Sequence, residues 1–180
     1  PLTGIGNDNL QKVIQAKAEL REGVNTWNPE QFHKAKDMFL GLLLEEGSDA
    51  AYLHYYIALC DYRLVAYEMS ENQTDAAAMH TADAEKHLEK AMELKPDWGE
   101  PCALYASMLG FEIALDWNKA MSLSMEIGAY FGKAFDLDPD NPRITPLKGL
   151  SELHTPAQFG GAPDSAIETL THAAEMFEAE

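Results

Sequence analysis

Cysteine is nearly absent. The 180 residues hold two, Cys60 and Cys102, with no metal-ligand spacing around either, so a zinc cage and a disulfide-stapled fold are both excluded. Each falls in a separate helical stretch and reads as a buried free thiol; a bridge would require those helices to be neighbours with matched geometry. Basic residues are also few, 13 against 30 acidic, for a formal charge of −17. So negative a chain repels a phosphate backbone or an anionic bilayer surface, which argues against nucleic acid as a partner. No apolar run approaches the ~20 residues that span a bilayer, so membrane insertion is not expected. No signal peptide is visible, and the opening PLTGIGND looks like a trimmed or mature start. Alternating Val/Ile/Thr runs are missing as well, which removes the usual signal for strands.

What is present is helical periodicity. Hydrophobic content of 46% and charged content of 24% suit one globular domain over residues 1–180 with a continuous core. Val13, Ile14, the stem of Lys17 and Leu20 open a first apolar stripe; Phe32, Ala35, Phe39, Leu42 and Leu43 form a second. Turn-forming clusters such as NTWNPEQ, SENQTDA, KPDWGEP and DPDNPR interrupt the stripes at regular places. Asn28-Pro29, Thr74-Asp75 and Asn141-Pro142 carry helix-start signals, two with proline at the first helical position. The spacing predicts an all-α protein of about eight helices, near 8–24, 29–45, 49–69, 75–95, 99–115, 120–137, 143–154 and 164–178.

The second helix of each pair repeats a pattern. Ala35/Phe39/Leu42, Ala84/Leu88/Ala91, Ile127/Phe131/Ala134 and Ala166/Leu170/Ala173 share one spacing, and Pro96 and Pro139 close the middle two. Small residues stand inside the partner helices at Ala58, Ala106 and Gly149, where they let two backbones approach while Phe or Leu fills the groove. This pattern resembles the tetratricopeptide repeat. The resemblance covers about residues 8 to 178 and implies four antiparallel helix pairs, near 8–45, 49–95, 99–137 and 143–178, stacked as a superhelix. The period is longer than the family's ~34 residues: Leu42, Ala91, Ala134 and Ala173 stand 49, 43 and 39 apart. The combination of WNKAMSL, DPDNPR and TPAQFGG also resembles bacterial repeat proteins that partner tripartite ATP-independent periplasmic transporters. That likeness implies an accessory protein of the periplasm or envelope.

No catalytic constellation emerges. H-E-x-x-H, C-x-x-C and the calcium-loop series are absent. His80 and His87 lie seven apart on one helix face, in an acidic setting that reads as solvated. The glycine pair in TPAQFGGAPDSA fails as a phosphate cradle, because no lysine follows and Asp164 would repel an anion; Asp164 reads instead as an N-cap. Phe159, at the centre of that long turn, reads as an anchor tucked into the helix stack or turned to a partner.

The most site-like pattern is Tyr52, Tyr55, Tyr62 and Arg63 on one broad helix face. In tetratricopeptide-like proteins the corresponding helix lines the concave groove, and Arg63 could fork onto a carboxylate. The alternative is a tyrosine-rich packing face with Arg63 bonded to Asp61 or Glu68. The expected function is therefore a non-catalytic scaffold that binds a protein or peptide and needs no cofactor. The alternative expectation is a small-molecule or lipid-binding accessory protein of an envelope transport system, with an apolar ligand.

Overall fold

In the computed structural model, the structure describes residues 7–45, 49–155 and 162–178. The fold is all-α: α1 Asn7–Thr26, α2 Pro29–Leu43, α3 Ala50–Ser70, α4 Thr74–Leu94, α5 Gly99–Leu115, α6 Ala120–Leu137, α7 Ile144–His154 and α8 Pro163–Glu178. A 3-10 turn, Trp117–Lys119, precedes α6 where the sequence shows only a break. The chain divides into two compact units, Pro1–Pro96 and Asp97–Glu180, and each holds two helix pairs.

Side-chain capping sets the starts of α2 and α3. Asn28 accepts the amide of Glu30 at 3.0 Å, with Pro29 at the first helical position. Asp49 accepts the amide of Tyr52 and starts α3. Three expected caps are displaced. Asn141 accepts the amide of Arg143 at 2.9 Å, but α7 begins only at Ile144, so Pro142 is not its first helical residue. Thr74 is the first residue of α4, and its predecessor Gln73 makes no side-chain capping bond. Asp164 lies inside the first turn of α8, because Pro163 already occupies the first helical position; its charge still suits the positive end of the helix dipole.

In the first unit α1 pairs with α2 and α3 with α4, while α2 also packs on α3. Its core gathers Val13, Ala16 and Leu20 of α1, Phe32, Ala35, Phe39 and Leu42 of α2, and Leu53, Ile57, Cys60 and Leu64 of α3. Helix α3 is apolar almost all round, as suits a helix covered on several sides.

In the second unit α5 pairs with α6 and α7 with α8, and α7 also rests on α5. The small residues act as expected. A Cβ at Gly149 would come within 2.8 Å of Leu170 Cγ, so α7 and α8 are closely apposed there. A Cβ at Gly99 would meet the carbonyl oxygen of Ala134 at 2.7 Å, so α5 begins directly against the end of α6. The α6 and α7 helices, by contrast, barely touch. The repeat positions Ala35, Phe39, Ala84, Leu88, Phe131, Ala134, Ala166 and Ala173 are all buried. Ile127, which stands where the other repeats have alanine, is only half-buried.

Candidate functional site

The tyrosine face of α3 is mostly inside. Tyr55 is 4% exposed and Tyr62 7% exposed, and Tyr52 and Arg63 are half-buried. Arg63 lies over the Tyr62 ring, 5.3 Å from its centroid. Tyr52 stacks on Tyr56 at 4.6 Å and accepts a hydrogen bond from Lys17 of α1. Lys17 also sits 5.0 Å from the centroid of the Tyr56 ring, so Lys17 ties α1 to α3 by a hydrogen bond and cation–π contacts. Phe159 lies outside the described residues.

Asp61 is engaged elsewhere than at Arg63. Its carboxylate is fully buried, and Oδ1 accepts Nζ of Lys36 from α2 and Nδ1 of His80 from α4, each at 2.7 Å. The other ring nitrogen of His80 stands 3.4 Å from Oε1 of Glu68, one carboxylate spanned to the next along α3. Asp61 Oδ2 and Glu68 Oε2 have no hydrogen-bond partner among the described residues. The bond to Asp61 raises the His80 pKa despite burial; burial raises that of Glu68. His33 packs against His80 with ring centroids 5.5 Å apart, and burial lowers its pKa.

His87 is not solvated either. Its Nδ1 lies 2.7 Å from Nδ1 of His54 on α3. Sequence reasoning missed both histidine contacts and the Lys36–Asp61 pair, because the partners lie far apart in the chain. The one available signal was the placement of His80 and His87 on a single face of α4. Among the described residues no three His, Cys, Asp or Glu side chains converge as a metal cage requires. The two thiols are free and buried, and burial pushes both pKa values upward, which makes each a poor nucleophile.

The second unit carries a cleft where α6 and α7 separate. It measures about 140 Å³ and is lined by Ile113 of α5, by Ser124, Ile127, Gly128 and Phe131 of α6, and by Lys148, Ser151 and Glu152 of α7, with Thr155 just beyond. Lys148 stands 5.6 Å from the centroid of the Phe131 ring and donates to Glu152 at 2.5 Å. Glu152 in turn accepts from Thr169 of α8. Beside the cleft runs a stripe of α6 at helical spacing: Met121, Met125, Gly128 and Gly132. Both methionines are 80% exposed, and open space lies where a Cβ would stand at either glycine. The result is an open apolar strip that meets the cleft at Gly128, with Lys148 in the cleft lining.

No helix among the described residues is long and apolar enough to cross a membrane. No protein-family model matches the chain, and no curated protein matches it. Among solved structures, the HusA haemophore from Porphyromonas gingivalis is similar in fold, with a TM-score of 0.75 and 24% sequence identity over 98% of this chain and 82% of that one.

Proposed function

We propose that this protein is a non-catalytic carrier of a small, largely apolar ligand in the bacterial envelope, and that haem or a related tetrapyrrole is its cargo. The observation that carries the reading is the cleft between α6 and α7, with the flat strip of Met121, Met125, Gly128 and Gly132 beside it. Ligand pockets commonly enclose ~300–1,000 Å³, so a cleft of about 140 Å³ admits one edge of a macrocycle. The face of the ring then lies along the glycines, where nothing stands in its way. Lys148 is placed to exchange Glu152 for a ligand carboxylate. The fold likeness to a haemophore supports the choice of ligand class.

The tetratricopeptide-like architecture is kept in this reading: paired helices with small residues at the close contacts form the frame, and the cleft arises where one contact is left open. A peptide scaffold reading needs the tyrosine face of α3 at a surface. With Tyr55 and Tyr62 buried, the small-ligand reading is the better supported.

Titration of the protein with haemin, followed by Soret absorbance, tests the proposal. Saturable binding near one equivalent, weakened in Ile127→Glu, is expected. A spectrum that never departs from that of free haemin, or Ile127→Glu binding as tightly as the parent, rejects it.

A further inference from the structure

We propose that His54 and His87 form a binding site for a free d-block dication of the zinc, nickel and copper class, separate from the ligand cleft. The two rings come from different helices, α3 and α4, which pack along their lengths. Their Nδ1 atoms face each other at 2.7 Å, with ring centroids 5.0 Å apart and planes inclined by 40°. Two neutral imidazoles meeting nitrogen to nitrogen share one proton, since one must donate and the other accept. A metal ion uses the same point with two lone pairs and releases that proton.

The geometry requires only side-chain movement. Zinc–imidazole bonds of ~2.0–2.1 Å at a tetrahedral angle place the two nitrogens ~3.3 Å apart. The rings therefore separate by roughly 0.6 Å, and each swings by about 35° so that both lone pairs converge on the ion, a change made by side-chain rotation at two half-buried positions. Both histidines are half-buried, which leaves the remaining coordination positions to water.

Burial is the main cause keeping both rings neutral, and only a neutral ring can ligate. The surrounding charges are mixed. On α4, Asp83 stands one turn before His87, and Lys86 and Lys90 flank it; Asp61 of α3 and Lys36 of α2 complete the set that acts on the pair. The lysines hold affinity down and favour an ion that binds imidazole strongly over a hard cation such as magnesium. The same short nitrogen–nitrogen distance leaves no room for a macrocycle between the rings, so the site takes a free ion and not the iron of a haem.

Calorimetric titration of the full chain, free of haemin, with zinc, nickel or copper salts tests the assignment. One equivalent bound with proton release near neutral pH is expected, with no heat from magnesium. His54→Gln and His87→Gln should each lose affinity by at least about tenfold, while His172→Gln, at an exposed position on α8, should bind as the parent does. Should either variant fail to fold, nitrogen NMR of the parent reads the same contacts: zinc must shift Nδ1 of His54 and His87 and leave His172 in place. Absence of saturable binding to the parent, unchanged affinity in both variants, or shifts confined to other histidines would overturn the proposal. Because haemin is absent throughout, none of these outcomes depends on the cargo proposed for the cleft.

Discussion

Lys36 and Asp61, 25 residues apart in the chain, meet at 2.7 Å in the interior of the first unit, with side chains 11% and 0% exposed. The pair joins α2 to α3, and His80 extends it to α4 through the same carboxylate oxygen. Three helices thus converge on one buried charge. Removing one partner of a buried pair typically costs about 3–5 kcal/mol, and here His80 remains to offset part of the loss at Asp61. Lys36→Met is expected to lower the urea midpoint accordingly, and Asp61→Asn added to it should recover part of the loss. A Lys36→Met variant as stable as the parent would show that the ammonium contributes nothing.

The histidines set opposing responses to pH. Burial lowers the pKa values of His33, His54 and His87 below the 6.5 of an unfolded chain. Between 6.5 and those lowered values the unfolded chain binds more protons, so their share of stability is lost as pH falls below 6.5. His80 is raised instead, by its bond to Asp61. Its contribution is complete below 6.5 and fades as pH rises through the folded value. Thermal midpoints measured from about pH 5 to 8 should show a shallower acid-side loss in the double variant His54→Gln/His87→Gln. In His80→Gln the deficit relative to the parent should shrink toward the alkaline end. Parallel profiles for all three proteins would remove the histidines as the cause.

Gly99 and Gly149 hold two close helix contacts, the first against backbone and the second against the Leu170 side chain. In Gly99→Ala the new Cβ would meet the backbone carbonyl of Ala134, which cannot rotate away. The variant is expected to lose about 1–3 kcal/mol, the usual range for overpacking, despite the better helix propensity of alanine. Gly149→Val is expected to fall in the same range by pressing on Leu170. Circular-dichroism melts measure both, and an unchanged midpoint would mean that α5 and α6, or α7 and α8, shift apart freely.

Gly128 offers the reverse case. Nothing lies within 4 Å of where its Cβ would be, so Gly128→Leu should fold at least as well and gain up to about 1 kcal/mol in helix propensity. The added side chain fills the mouth of the cleft and should weaken haemin binding by about tenfold or more, equivalent to about 1.4 kcal/mol. Retained affinity with retained stability would move the binding site away from α6. The neighbouring Lys148→Met variant separates charge from shape, since it should reduce affinity chiefly at low salt.

Much of the fold was readable from residue order. The eight helices follow the apolar stripes and turn clusters to within about two residues, and Asn28 caps as its sequence context implies. Cys60 and Cys102 are free and buried, as expected of isolated thiols. The expected caps at Thr74 and Asp164 fall inside the first turn of their helices, and Asn141 falls short of the start of α7. The tyrosine pattern on α3 was legible as a helix face, but helical spacing alone does not say whether that face meets water or protein. Neighbouring elements decide that, and Tyr55 and Tyr62 are covered.

Helix positions came from the sequence by itself, because helical period and turn propensity act within a few residues; the pairing was what the repeated pattern and its resemblance implied. The contacts between charged groups and the place left open were decided only in three dimensions. His54 and His87 are 33 residues apart, and Lys36 meets Asp61 through the docking of α2 on α3. The cleft exists because α6 and α7 separate around Ile127, Gly128 and Phe131. Such meetings depend on the angle and spacing at which finished helices dock, and that packing sums over many residues distant in the chain.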